Sequence, residues 1–407
     1  MSIQICLVSE QAAANLLPAL DPDLKPQKIF LLVTGKMKSR SEALNKVLRE
    51  AGVQSETVML SDEHDYEKLR NEILEIAGCL GGELDVCLNL TGGTKLMALA
   101  AQSIGDEAEW RMFYVDADTD ELVWLTAPSS RQKLRQQLRL PHYLGGYGFT
   151  TGRRSSSPSG GPDSQDLIRT LVTQLGSLTQ PLSQLNWIAQ RAAEGRRTRE
   201  TLTDRQRADC GLGSLLRSFE DAGLLSVQGD QLVFKDEAAI DFVKGGWLEH
   251  HVFSMVASLS TELGIRDKAA NLEVIDPAGV KNELDVAFLA GNRLHVIECK
   301  TARMDQSQGS SPKDTKANDT LFKLSEICRR VGGSASRPML VSYRPLSEAE
   351  LQLARALHIE TICAGEIAGL ETRIRAWVDP TGRSSKLADE VSLPRLSHAE
   401  RAEGADE

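Results

Sequence analysis

The sequence has no hydrophobic run near the roughly 18 residues that a membrane-spanning helix needs, which excludes a helical membrane protein. Its start, MSIQICLVSE, has neither a basic n-region nor a small-residue cleavage site, so no signal peptide is expected and the predicted location is cytoplasmic. Cysteine is scarce and odd in number: Cys6, Cys79, Cys87, Cys210, Cys299, Cys328 and Cys363. No two have the short spacing of a zinc knuckle, and most sit in apolar segments, which excludes a disulfide scaffold and a zinc-finger array and fits reduced, buried thiols. Basic residues are not in excess, since 47 Lys+Arg against 57 Asp+Glu give a formal net charge of -10. That argues against a protein coating DNA through its whole surface and leaves room for a local basic groove.

What is present is enough apolar material, 41% of 407 residues, for two or three domains with real cores. In residues 1–150 the short apolar runs IQICLV (3–8), KIFLLVT (28–34), SETVML (55–60), DVCLNL (85–90), RMFYV (111–115) and ELVWL (121–125) alternate with helical-period segments at 39–51, 66–80 and 94–104. Strands alternating with helices of this length predict βαβ units and a mainly parallel, Rossmann-like α/β domain. Leu138–Phe149, with Gly145, Gly146 and Gly148, reads as a hairpin or closing flap. Residues 151–164, TGRRSSSPSGGPDS, are too rich in Ser, Gly and Pro to bury a core and read as a flexible linker.

Residues 165–235 change character. Helices are expected at Leu167–Leu175, Pro181–Arg191 and Leu212–Gly223, and then LLSVQGDQLVF forms a hairpin around Gly229-Asp230. A hairpin directly after a helix ending in Gly is the pattern of a winged helix-turn-helix. Residues 236–380 predict a mixed α/β domain, with helices at Ala238–Leu259, Asn318–Val331 and Ser347–Leu357 and a last one to about residue 378. Its strands are NLEVID, NELDVAFLA, RLHVIECK, PMLVSYR and HIETICA. The polar, acidic segment 381–407 is expected to be a mobile tail.

The strongest chemical signal is Asp285 in NELDVAFLA followed by Glu298-Cys299-Lys300 in RLHVIECK. Gly291-Asn292 between the two strands predicts a tight turn and a paired hairpin. The two-residue period of a strand sets Glu298 and Lys300 on one face. Two carboxylates are costly to bury without a partner, and a divalent cation resolves that cost. Asp285 and Glu298 supply hard oxygen ligands for Mg²⁺ or Mn²⁺, with the Cys299 carbonyl as a third donor. Such a metal activates a bound water and stabilises charge on a phosphoryl oxygen. Lys300 is expected to hold that water and offset the developing negative charge. Glu249, on the helix before the strands, is a further candidate carboxylate; Glu283 and Lys323 are weaker ones.

Helix Glu, strand Asp, then E-x-K on the next strand resembles the PD-(D/E)xK nuclease superfamily. The spacing of 13 from Asp285 to Glu298 suits that hairpin, although no proline precedes the Asp. The resemblance implies a restriction-endonuclease-like fold with Glu249, Asp285, Glu298 and Lys300 as the catalytic set.

A second constellation is Thr91-Gly92-Gly93-Thr94-Lys95, directly after the strand DVCLNL and opening a helix. Two glycines allow close backbone approach to an anion, and the helix N-terminus directs its positive end there. The spacing is neither a Walker loop nor G-x-G-x-x-G, so NAD is not inferred. Ser9-Glu10 and Thr34-Gly35-Lys36 end two other strands of the same sheet, where ligands of open α/β sheets bind. Together they suit a polyphosphorylated or nucleotide ligand, with Asp116 placed to read a base or ribose edge.

T-G-G-T-K after the fourth strand of a small Rossmann-like domain resembles the CARF domain, the sensor of type III CRISPR systems. A CARF domain joined through a winged helix to a PD-(D/E)xK domain is similar to the Can/Card family of CRISPR-associated ancillary nucleases. The resemblance spans about residues 1–380. It implies a homodimer whose two CARF domains bind a cyclic oligoadenylate, most often cyclic tetra-adenylate. It also implies activated, metal-dependent cleavage of single-stranded RNA and DNA or nicking of supercoiled DNA.

Arg191, Arg196, Arg197, Arg199, Arg205, Arg207 and Arg217 form a basic stretch, read either as a nucleic-acid track or as a helix face balanced by Glu194, Glu200, Asp204 and Asp209. Residues 305–319 are polar and suit a loop over the active site or a plain surface loop. Two other functional readings stand beside the nuclease. One is a nucleotide-responsive winged-helix DNA-binding regulator without catalysis; the other makes the first domain an enzyme that degrades its own cyclic ligand.

Overall fold

The computed structural model describes residues 2–80, 85–116, 119–155, 164–301 and 316–379. All six apolar runs of the first region form strands: β1 (Ser2–Leu7), β2 (Lys28–Val33), β3 (Gln54–Met59), β4 (Asp85–Asn89), β5 (Arg111–Asp116) and β6 (Glu121–Trp124), with β7 (Ser130–Lys133) added. They build one sheet of order β3-β2-β1-β4-β5-β6-β7, parallel from β3 through β5 and antiparallel beyond. Helices α1 (Ala13–Leu20), α2 (Lys38–Glu50), α3 (Tyr66–Leu80) and α4 (Lys95–Glu107) connect the parallel strands. Strands β1 and β2 read as unbroken apolar runs because both sheet faces are covered. Cys6, Leu31 and Phe113 pack to one side, and Ile5, Leu32, Leu88 and Met112 to the other. Helix α1, with Pro18 inside it, had no counterpart in the sequence reading.

The segment 138–149 corrects one expectation. It is not a hairpin or flap but helix α5 (Leu140–Gly146), followed by β8 (Thr150–Thr151). Its glycines serve close packing: a Cβ on Gly145 would lie 2.8 Å from Val47, and one on Gly146 would lie 2.7 Å from Leu16. Gly148, at φ 89°, then makes the turn into β8.

The middle unit comprises α6 (Ser164–Thr173), α7 (Leu175–Glu194), β9 (Arg199–Thr201), α8 (Asp204–Ala208), α9 (Cys210–Asp221), β10 (Leu225–Gln228) and β11 (Gln231–Phe234). The strands form a small sheet of order β10-β11-β9. The expected helix end at Gly223 and hairpin turn at Gly229 are both present, each glycine with positive φ. Asp209 caps α9, accepting from Leu212 N at 3.0 Å.

The third unit holds α10 (Glu237–Asp241), α11 (Trp247–Ser258), β12 (Asp267–Ile275), β13 (Lys281–Ala290), β14 (Arg293–Lys300), α12 (Lys316–Gly332), β15 (Arg337–Ser342), α13 (Glu348–Ala356), β16 (Glu360–Cys363) and α14 (Leu370–Val378). The single helix expected over Ala238–Leu259 is broken at Gly245, which takes a non-helical conformation where a Cβ would lie 2.6 Å from Thr301 Oγ1. Residues 316–319, read as part of a loop, are the first turn of α12; residues 302–315 lie outside the described residues. The sheet runs β16-β15-β14-β13-β12-β8, an antiparallel meander followed by two parallel strands.

Strand β8 is therefore the edge of the third unit's sheet although it follows the first domain directly. Gly152 N donates to Glu273 O at 2.8 Å and Ser155 N to Ala270 O at 2.9 Å, so residues 151–155 line that edge rather than forming a free linker. Residues 156–163 of the expected linker, and the expected tail from 381, lie outside the described residues. The first and third units share one apolar cluster, in which Tyr143, Leu144 and Phe149 meet Leu272, Val274, Leu294 and Leu321. The expected Gly291-Asn292 turn has φ 52° and 55°, the left-handed pair of a two-residue hairpin loop. Asn292 also pins the seam: its Oδ1 accepts from Leu138 N at 2.8 Å and its Nδ2 donates to Gln136 O at 3.2 Å.

Candidate active site and candidate ligand shelf

Strands β13 and β14 pair from Ala290–Arg293 to Val286–Ile297 and then part. One further step of that register sets Asp285 across from Glu298. The Cys299 N–H, freed from the ladder, donates to Asp285 Oδ2 at 2.7 Å. Lys300 Nζ donates to Glu298 Oε1, donates to the Cys299 carbonyl at 3.2 Å and lies 3.8 Å from Asp285 Oδ2. The three donors expected to hold a cation thus surround one point, and the Lys300 ammonium takes that point. All three side chains remain partly exposed, so the centre opens to solvent.

Burial pushes the Asp285 carboxyl well above the usual range, the neighbouring Glu298 carboxylate adds to this, and Lys300 opposes it. For Lys300, burial alone would lower the pKa; the pull of Asp285 and Glu298 outweighs it, and the ammonium form is favoured. The Cys299 thiol is buried in the core and pushed up by that burial, so only its carbonyl faces the centre. Two carboxylates and a carbonyl are hard oxygen donors that fit Mg²⁺ or Mn²⁺. Among the described residues no three His, Cys, Asp or Glu side chains form a metal cluster by themselves.

Glu249 stands in the first turn of α11 and lines the same cleft, of about 650 Å³, with Lys300, Glu283, Arg153, Arg154 and Lys244. Burial raises its pKa, and a hydrogen bond from Asn271 opposes the rise. That Asn271 Nδ2 donates to Glu249 Oε2 at 3.0 Å and to Glu283 Oε1 at 3.1 Å. Lys323 lines a second cleft, of about 710 Å³, that meets the first at Glu283 and Lys300. Sequence reasoning missed Asn271 and Arg153. Asn271 stood at the head of an expected strand and Arg153 in the expected linker, and only the sheet brings them to the centre.

In the first domain the strand registers can be extended in the same way. Leu7–Leu32, Cys6–Asn89 and Asn89–Phe113 are partners, so the same register continued sets Ser9, Thr34 and Gly92, just past their strands, level with Asp116, the last residue of β5. The row lies where the sheet order reverses between β1 and β4, the crevice in which open α/β sheets bind ligands. A Cβ on Gly92 would fall 2.1 Å from Leu7 O and 3.3 Å from Ser9 Oγ; Gly93 has φ 73°. Glycine is required at both positions, by close approach and by conformation.

The polar groups of the shelf divide in two. Thr91 Oγ1 donates to Asn89 Oδ1 at 2.6 Å and accepts from Val115 N at 2.7 Å, so it ties β4 to β5. Thr94 caps α4, accepting from Met97 N at 3.2 Å, and Ser9 Oγ accepts from Gln11 N at 3.3 Å. Thr34 is buried, Lys36 is ion-paired with Glu63, and Asp116 lies 3.4 Å from Arg131. Glu10, Gly35 and Lys95 are exposed on the surface. In the basic stretch, Arg191 and Arg197 both pair with the buried Glu200, at 3.1 and 2.9 Å, and Arg207 pairs with Asp204.

The fold and these two sites agree with known proteins. Residues 3–143 match the family model of the Card1 CARF domain, and residues 236–380 match that of the Card1-like endonuclease domain. Protein VC1899 from Vibrio cholerae is 25% identical with a TM-score of 0.83, over 94% of this chain and 98% of that one. Can2 from Sulfobacillus thermosulfidooxidans, solved in complex with cyclic tetra-adenylate, is 25% identical with a TM-score of 0.77, over 93% and 99%. A type III CRISPR defence DNA nuclease activated by cyclic oligoadenylate, at 20% identity and TM-score 0.50 over 85% of this chain and 47% of that one, shares the fold. No curated protein sequence matches. With both domain models matched in order along one chain that aligns end to end with Can2, the protein belongs to the Can/Card family of CRISPR-associated nucleases.

Proposed function

We propose that this protein is an endonuclease switched on by a cyclic oligoadenylate, cyclic tetra-adenylate first, and that it cleaves single-stranded RNA or DNA or nicks supercoiled DNA with Mg²⁺ or Mn²⁺. The observation that carries the reading is the convergence of Asp285, Glu298 and the Cys299 carbonyl on one point where β13 and β14 part. When bound there, the divalent ion supplies a Lewis acid for the phosphodiester and an activated water. Lys300, beside those donors, would offset charge on the oxygens of the scissile phosphate. Glu249 stays beside the centre to orient the attacking water through a hydrogen bond.

The sensor part rests on the row of strand ends and on Can2 having been solved with cyclic tetra-adenylate. Leu96 and Leu99 are exposed on α4 directly behind the Thr91–Lys95 loop, at 36% and 55%. An apolar strip at the rim of a shelf that is open in one chain supports a homodimer with the ligand between two copies. Activation requires only that the ligand bind one arrangement of the dimer more tightly than another. The test is cleavage of labelled single-stranded RNA, single-stranded DNA and supercoiled plasmid, with or without cyclic tetra-adenylate, in Mn²⁺ or EDTA. Cleavage that needs both additions is expected; equal cleavage without the activator ends the gating, and cleavage in EDTA ends the metal role.

A further inference from the structure

Strand β12 contains an interruption beside the active centre. Its ladder with β13 pairs Ala270 with Val286 and Leu272 with Leu284, and steps over Asn271, which lies across from Asp285. Asn271 has φ 49°, a left-handed backbone in the middle of a strand, where φ is ordinarily near -140°. Asparagine and glycine tolerate that conformation better than other residues. Residues held in such conformations concentrate at functional sites. Here the distortion coincides with a bifurcated contact: the two amide hydrogens of Asn271 Nδ2 go to Glu249 Oε2 at 3.0 Å and Glu283 Oε1 at 3.1 Å. Those two carboxylates stand on different elements, α11 and β13, and repel each other; Glu283 is among the groups that raise the Glu249 pKa.

We infer that Asn271 is a positioning residue for Glu249. Its amide ties one oxygen of Glu249 to one oxygen of Glu283 and so holds Glu249 in the cleft that Lys300 also lines. A neutral amide is suited to this place: it has two donors for two carboxylates and adds no charge to a cleft that Asp241, Glu249 and Glu283 already line. Without it, Glu249 would turn towards solvent or towards Arg153, which already lies 3.9 Å from Glu283 Oε2. The inference rests on the nuclease reading above and adds a residue through which the centre is held in geometry.

The backbone and the amide can be separated by substitution. Asn271→Gly keeps the left-handed conformation and removes the amide; Asn271→Ala removes the amide and opposes the conformation. In the full-length protein with cyclic tetra-adenylate and Mn²⁺, Asn271→Gly is expected to lower kcat on single-stranded substrate by about 10-fold to 100-fold, with KM within about twofold and an unchanged melting temperature. Asn271→Ala should show the same kcat loss together with a lower melting temperature. Wild-type kcat in the glycine variant would reduce the position to a backbone role, and a loss carried by KM alone would make Asn271 a substrate contact; either overturns the inference. Glu298→Ala is measured alongside. If it is inactive while Asn271→Gly is fully active, only the positioning role fails; if both cleave normally, the assignment of the centre to Asp285, Glu298 and Lys300 fails as well, and if the wild-type protein does not cleave, the nuclease reading itself fails.

Discussion

The nuclease centre and the sensor shelf both lie where strands stop pairing, yet they use their polar groups differently. At the centre, side chains of one chain satisfy one another: Asp285 accepts the freed Cys299 N–H, Lys300 sits among three oxygens, and Asn271 joins two carboxylates. At the shelf the hydroxyls of Ser9, Thr91 and Thr94 engage the protein itself, and the exposed residues are Glu10, Gly35 and Lys95. The centre holds its charges at fixed positions within one chain. On the proposed reading, the shelf would be completed by a ligand and a second copy, as suits a sensor whose output depends on assembly.

The largest effect that would sharpen this contrast is at the centre. Asp285→Ala or Lys300→Ala is expected to reduce activated cleavage by about 10³-fold or more while leaving calorimetric binding of cyclic tetra-adenylate unchanged. A parallel loss of activator affinity would mean that the two regions are not separable. Next, the shelf itself divides. Thr91→Val should destabilise the protein by about 1–3 kcal/mol, seen in denaturant melts, because Asn89 and the Val115 N–H lose a shared partner. Lys95→Ala should leave the melt unchanged and weaken activator binding by about tenfold. The reverse pattern would restore Thr91 as a ligand group.

The smallest effect concerns the seam between the regions. Burial raises the Asp120 carboxyl to about 6, against the opposing influence of Asn292, Lys133 and Arg293. Its folded pKa therefore lies above the unfolded value of 3.8, so its contribution favours folding below that value and is lost as pH rises through 6. At pH 7.5 the ionised group is a burden. Asp120→Asn is expected to raise stability there by about 1–3 kcal/mol, with the gain shrinking as pH falls from 6 towards 4. A pH-independent gain would show that packing, not charge, was relieved.

Much of this was readable before the fold was known. Period-two and helical patterns located every strand from β1 to β6, the hairpin of β13 and β14, and the four residues Glu249, Asp285, Glu298 and Lys300 that the fold gathers in and beside one cleft. The misreadings share a cause. Glycines 145 and 146 were taken as turn formers when they allow α5 to approach Leu16 and Val47, and residues 151–155 were taken as linker when they extend a sheet whose other strands lie more than a hundred residues later. In both cases local composition was silent about a distant partner.

The alternation of apolar and polar residues determined which segments became strands and helices, and the chemistry of D…E-x-K determined what the centre can bind, because both depend on neighbours a few residues apart. The tertiary structure alone decided that the strand leaving the sensor becomes an edge of the nuclease sheet, that Thr91 bonds across β4 and β5, and that Asn271 faces Glu249. Those outcomes depend on which backbone groups remain unpaired once sheets have formed, a condition set by contacts across the whole chain and carried by no single stretch of it.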